Sequence, residues 1–155
     1  MTQPDTTSQA EVGAAYFRLF NEIGIIAQLS RTLLEARLPK GIILPHFSVL
    51  NHLIRVRDGR TLMELASAFQ VPKTSMTHTV GGLEKAGFVT VQPNPADKRS
   101  KCVFITSEGR TLAAGAVTAL GPDVAELAQD FPLERVQAML PQLEALRTIM
   151  DAKRG

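Results

Sequence analysis

Residues 61–107 read TLMELASAFQVPKTSMTHTVGGLEKAGFVTVQPNPADKRSKCVFITS, and this stretch decides the fold. Thr61-Leu62-Met63-Glu64 is a capping box, a hydroxyl followed three residues later by a carboxylate. It opens a short helix with Leu62, Leu65, Ala66 and Phe69 inward. Gln70-Val71 makes the turn. A second helix is expected from about Pro72 to just before Gly87, a natural residue for the position after a helix end. Its buried face should be Met76, Val80 and Leu83, at spacings of four and three. Residues 88–92 and 101–105 are β-branched and aromatic runs, hence strands. Residues 93–100, PNPADKRS, are a loop by composition, and at that length too long for a two-residue turn. The sequence predicts helix, turn, helix, then a hairpin with a long basic tip.

The outer side of the second helix carries Lys73, Thr74, Ser75, Thr77 and His78, with no acid before Glu84. Such a face offers hydrogen-bonding groups without repelling phosphate, which suits the reading of base edges in double-stranded DNA. Charge is distributed accordingly. Residues 55–110 hold nine Lys/Arg against five Asp/Glu, a balance of +4, which leaves −2 for the flanks of a chain whose net charge is +2. The basic residues concentrate where phosphates would be met. A solvated basic face is the plainer reading of the same surplus.

Working outward, Ser8-Gln9-Ala10-Glu11 is another capping box. Apolar residues follow at helical spacing (Val12, Tyr16, Leu19, Phe20, Ile23, Ile26, Ala27, Leu33, Leu34) up to Pro39. An apolar stripe so long is expected to serve as core at one end and dimer contact at the other. A helix from Pro45 to about Val56 should turn Phe47, Leu50, Leu53 and Ile54 inward. Asp58-Gly59 is turn chemistry. After Thr106, a further helix cap, apolar residues from Leu112 to Leu127 and from Leu133 to Leu146 predict two more helical stretches. Gly121-Pro122 should bend or break the first of them, and Pro141 is a candidate kink in the second. Residues 1–7 read as a disordered lead-in.

With 155 residues, 45% apolar and 21% charged, the chain is expected to fold as a single domain with a real core. No apolar run approaches the roughly 20 residues that span a bilayer. The opening MTQPDTTSQAE has no basic stretch followed by an apolar one, so no secretory signal is expected. A lone cysteine, Cys102, fits a reducing cytoplasm. His46 and His52, six apart on one helix, are a poor pair for a shared metal, and no metal or cofactor is expected. There is no nucleophile elbow, no phosphate-binding glycine loop and no acid-base pair, so a catalytic site is not expected and the chain reads as a non-enzyme.

Several of these pieces stand in an order that resembles the MarR family of transcriptional regulators. They are Leu65-Ala66, Lys73-Thr74-Ser75-Met76-Thr77, Leu83-Glu84-Lys85-Ala86-Gly87-Phe88-Val89, Pro93-Asn94-Pro95-Ala96-Asp97-Lys98-Arg99 and Ile105-Thr106-Ser107-Glu108-Gly109. The Asp-x-Arg tip followed by Ile-Thr-x-x-Gly is the most specific part. The resemblance implies a mainly α fold with a small β-hairpin wing, a winged helix-turn-helix domain over residues 45–106, and a helical dimerisation layer from residues 8–38 and 107–152 (an α+β arrangement in one MarR-like domain). It also implies a homodimeric, cytoplasmic repressor on a pseudo-palindromic operator. In that scheme Arg99 enters the minor groove, Asp97 orients the wing, Lys98 and Lys101 meet phosphates, and Thr74, Ser75, Thr77 and His78 lie where base and backbone contacts are made. Family members often bind small aromatic or lipophilic effectors, for which Tyr16, Phe20, His46, Phe47 and Leu50 are the candidate pocket here. Redox-sensing relatives usually place their cysteine in the N-terminal helix, so Cys102 is expected to be structural or incidental.

Two positions depart from the family. It commonly has arginine where this chain has His78 and Gly82, and Gly81-Gly82 lies inside a helix at about 1 kcal/mol each relative to alanine. A winged-helix protein–protein interaction module with weak or lost DNA binding is the competing function.

Overall fold

The computed structural model describes residues 8–154, so the lead-in expected at residues 1–7 lies outside the described part. The elements run α1 (Gln9–Glu35), α2 (Leu44–Arg55), β1 (Arg60–Thr61), α3 (Leu62–Phe69), α4 (Lys73–Lys85), β2 (Val89–Asn94), β3 (Asp97–Ile105), α5 (Ser107–Ala119), α6 (Gly121–Asp130) and α7 (Leu133–Arg154). The chain is mainly helical with one small antiparallel sheet, and it divides into two compact units that meet at Ala116 and Val117.

In the first unit the expected helix starts form as written. Ser8 and Thr61 each accept a hydrogen bond from the backbone N–H three residues on, while Glu11 and Glu64 reach back to the Ser8 and Thr61 N–H groups. The core gathers Leu50 and Leu53 of α2, Leu65 of α3, Met76, Val80 and Leu83 of α4, Val89 and Val103 of the sheet, and Ala113 and Ala116 of α5. All three α4 positions read from spacing are buried. On α2 the expectation for Ile54 fails. Val49 is buried and Ile54 is exposed, because the buried stripe follows Phe47, Val49, Leu50 and Leu53 around the helix.

The sheet has the order β1-β3-β2, with β3 central. Sequence reading missed β1, whose two residues pair with Val103 and Cys102 and are too short to show any alternation. Asp58, expected only as a turn former, has a longer reach. Its Oδ1 accepts from the Gly59 and Ile105 N–H groups, and its Oδ2 lies 3.6 Å from Arg110, so one carboxylate ties the start of β1 to the end of β3 and to α5.

At the start of α5, the Ile-Thr-x-x-Gly segment has a physical cause. The Thr106 hydroxyl donates to the Gly87 carbonyl and accepts from the Gly109 N–H. A Cβ at position 109 would run into the Phe88 carbonyl, so only glycine lets α5 begin there.

Along α1 no residue is buried. Tyr16, Phe17, Phe20, Ile23, Ile26 and Leu29 lie exposed, and only near the C-terminal end does Leu34 pack on the core. In the second unit Pro122 sits in the first turn of α6, as the expected break requires, and Pro141 stands inside α7. The Arg135 guanidinium lies over the Phe131 ring, 4.4 Å from its centre. Val124, Leu127, Leu140, Leu143 and Ile149 are exposed on α6 and α7. Among the described residues no helix is long and apolar enough to cross a membrane.

Candidate nucleic-acid interface

Helix α4 turns Met76, Val80 and Leu83 into the core, which fixes what it can present. Thr74, His78, Gly81 and Lys85, at spacings of four, three and four, run along the opposite side. Lys73 stands exposed in the first turn, where no acid opposes it. The Thr77 hydroxyl donates to the Lys73 carbonyl at 2.8 Å, which leaves its lone pairs free to accept from a base amino group. Ser75 is placed differently from the other four. It lines a cavity with Thr79, whose hydroxyl donates to the Ser75 carbonyl.

The two helical glycines have separate explanations. Nothing lies within 4 Å of a Cβ added to Gly81. At Gly82 that atom would stand 3.1 Å from Nε2 of His46, so the absence of a side chain makes room for an imidazole from α2. Any side chain there, the arginine common in the family included, would press on His46 through its Cβ.

The wing is more ordered than its composition suggests. Asn94 and Asp97 pair across a two-residue turn, Pro95-Ala96, which corrects the expectation that so long a segment could not close tightly. A register shift at Pro93/Asn94 makes this possible. Pro93 pairs with Lys101 and Asn94 with Asp97, so residues 98–100 bulge with no partner on β2. Side chains hold the bulge. The Asn94 amide donates to the Ser100 hydroxyl at 2.9 Å and Asn94 Oδ1 accepts from the Ala96 N–H, while the Ser100 hydroxyl donates to the Asp97 carbonyl.

Asp97 and Arg99 lie together in the wing, a contact that the sequence reading did not include. Asp97 Oδ1 accepts from the Arg99 N–H at 3.0 Å and lies 3.6 Å from Arg99 Nε. The Arg99 side chain is 94% exposed, so the carboxylate aims a guanidinium that is otherwise in water. Lys98 and Lys101 are exposed on the same strand. Glu84, which the sequence marked only as the first acid of its helix, links the two presenting elements. Its Oε2 accepts from the Val91 N–H at 3.1 Å, so the end of α4 is pinned to β2, the outer strand of the sheet.

Behind α4 lies a cavity of about 300 Å³. Leu44, Pro45, Val49, Phe69, Val71 and Met76 make it apolar, and Arg31, Ser48, Ser75 and Thr79 supply polar groups. It is built from residues other than the expected Tyr16, Phe20, His46, Phe47 and Leu50. Of these, Phe47 and Leu50 are core, Tyr16 and Phe20 are exposed on α1 in edge contact with each other, and His46 faces Gly82. Arg31 carried no signal in sequence, since it lies on the polar side of a helix read for its apolar stripe. Cys102 is buried in β3 opposite Thr61 and Gln92.

Comparison with known proteins agrees with this geometry. Residues 40–100 match the MarR family model. The transcriptional activatory protein BadR of Rhodopseudomonas palustris is 30% identical over 97 residues, 61% of this chain and 54% of that protein, so the match spans about half the length of this curated relative. The transcriptional regulator BldR of Sulfolobus solfataricus superposes with a TM-score of 0.72 at 25% identity, covering 95% of this chain and 99% of BldR. A mutant MarR of E. coli, complexed with operator DNA, superposes with a TM-score of 0.68 at 25% identity, covering 85% and 95% of the two chains. BadR and BldR both act in transcription, one as an activatory protein and one as a regulator. By the match over residues 40–100, the winged-helix architecture and these relatives, the chain is similar to the MarR family of transcriptional regulators.

Proposed function

We propose that the protein is a sequence-specific DNA-binding transcriptional regulator that works as a homodimer on a pseudo-palindromic operator. The observation that carries this reading is the joint aim of two elements. An acid-free polar helix face and a guanidinium held out by Asp97 are pinned to one frame through the contact of Glu84 with β2. In the E. coli relative the complex is with operator DNA. A recognition helix in the major groove and a wing arginine in the adjacent minor groove would use both elements at once.

The homodimer is supported by exposed apolar residues in each unit taken by itself, on α1 in the first and on α6 and α7 in the second, which a partner could cover. Such a partner would also supply the second recognition helix that a palindrome needs. We take the sign of control to be repression. One relative is an activatory protein, so a promoter–reporter assay with and without the protein decides that point.

We further propose release by a small lipophilic or aromatic effector held in the apolar cavity, with an anionic end directed to Arg31. The cavity touches Ser75 and Thr79 on the back of α4, so an occupant could favour a pose of the recognition helix that misfits the operator. It must bind that pose better than the DNA-bound one.

The test is fluorescence anisotropy against the gene's own upstream region over a salt series. The proposal requires tight, site-selective binding by a dimer, with affinity falling steeply as salt rises. Weak, sequence-blind association would favour a winged-helix protein–protein interaction module instead.

A further inference from the structure

Three helices of the first unit solve the same end problem with different atoms. In α1 and α3 the N-cap backbone N–H is accepted by a carboxylate three residues on, Glu11 and Glu64. Both carboxyls are held below the usual range, foremost by that backbone hydrogen bond. In α2 the equivalent donor, the Ile43 N–H, is accepted at 3.1 Å by Nδ1 of His46. A carboxylate keeps accepting throughout the physiological pH range, but an imidazole accepts only while that nitrogen is unprotonated. The same ring presents Nε2 to the backbone of α4 at Gly82.

We propose that His46 is a proton-sensitive positioning residue that sets the pose of the recognition helix α4 against α2. Neutral, it closes the first turn of α2 and lies against Gly82. Protonated, it loses Nδ1 as an acceptor, frees the Ile43 N–H and places a cation beside α4. This deepens the DNA-binding reading and rests on it for its functional consequence, which is that acid weakens operator binding.

Burial first, and then the charge of His78 on α4, holds the His46 imidazole below its ordinary value, which keeps the accepting form dominant at neutral pH. Of the other elements packed on α2, α1 brings Arg31 to the cavity beside Leu44 and Pro45. Among the described residues no titratable group of β3 acts on His46. His52, further along α2, faces Arg60 and Phe69 instead.

The test compares wild type with H46Q, in which glutamine can accept the same N–H but does not titrate. With the full-length protein, nitrogen-15 histidine spectra should show Nδ1 of His46 unprotonated at pH 7.5. On acidification to pH 5.5 the amide signals of residues 73–85 should move further in wild type than in H46Q, which retains His78 on the same helix. Operator affinity should drop about fivefold more in wild type than in H46Q over that range, the worth of one helix cap. His78 is present in both proteins, and because its charge acts on His46, adding H78Q to each separates its own acid response.

A His46 protonated at Nδ1 at pH 7.5, α4 signals that move equally in both proteins, or equal acid loss of operator affinity would each overturn the proposal. Should neither protein bind operator at any pH, the DNA-binding reading fails on its own, and the α4 amide shifts still decide whether His46 sets the helix pose. If H46Q does not fold, H78Q replaces it. Removing the opposing charge must then raise the pH at which His46 titrates, and an unchanged midpoint overturns the coupling to α4.

Discussion

Helix α4 and the wing present the same kind of chemistry but are built on opposite principles. The helix is positioned from behind, by Met76, Val80 and Leu83 in the core, and its outer face is simply what remains. The wing has little core behind its tip and is positioned from within, by Asn94, Asp97 and Ser100 hydrogen-bonding one another and the turn. An element held by packing should therefore fail through folding, while an element held by local hydrogen bonds should fail through function with the fold intact.

The largest expected effect tests the first half of that contrast. Leu83 is fully buried, so Leu83→Ala should destabilise the protein by about 3 kcal/mol, the usual cost of an aliphatic truncation in a packed core. Urea unfolding measures it, and a loss below about 1 kcal/mol would mean that α4 is not held from behind. Next comes Arg99→Ala. With the side chain in water, unfolding should shift by less than about 0.5 kcal/mol. Operator affinity should fall about tenfold, and the slope of log affinity on log salt should become shallower by about one. Unchanged binding across the salt series would remove Arg99 from the interface.

What could be read in the sequence divides along the same line. Spacing reports a face that packs on a core, so Met76, Val80 and Leu83 were visible, and capping boxes report helix starts, so Ser8 and Thr61 were visible too. The closure of the wing was not, because it depends on a register shift that composition does not encode. Neither was the cause of Gly82, whose neighbour His46 lies 36 positions away in sequence on another helix. Asp58 and Glu84 escaped for a related reason: each acts on a backbone N–H of a different strand, at Ile105 and Val91. Asp97 and Arg99 were legible as members of a motif, but their contact with each other was not.

The glycine pair sharpens the account of α4 at a smaller scale. Gly81→Ala should gain about 1 kcal/mol of stability, since the new methyl meets only open space and the helix loses a poor former. Gly82→Ala should gain less, because the same helical benefit is offset by pressure on His46 Nε2, and the difference should vanish in the His46→Ala background. Equal gains at both positions in the wild-type background would show that His46 yields without cost.

The smallest effect separates the two regions by acid. The chain has three histidines, on α2 and α4, and none lies in the wing. His52 Nε2 accepts from Arg60 Nε at 3.4 Å, and its ring stacks at a tilt on Phe69, the last residue of α3. Burial first, and then Arg60, holds this imidazole below its ordinary value. The folded protein therefore releases the proton more readily than the unfolded chain does. Stability from this group is complete above the ordinary value of about 6.5 and is lost as pH falls from there through the lower value in the folded protein. The site is partly open to water, so screening keeps the effect below about 0.5 kcal/mol. Thermal unfolding at pH 7.5 and 5.5 should show a slightly smaller acid loss for His52→Gln than for wild type, and equal losses would mean that neither burial nor Arg60 biases the protonation of His52. Because that contact anchors α3 and β1 rather than the wing, Arg99→Ala should leave the acid loss of the wild-type chain unaltered. A change in that loss would show that the wing and the helical frame are coupled more tightly than the link through Glu84 implies.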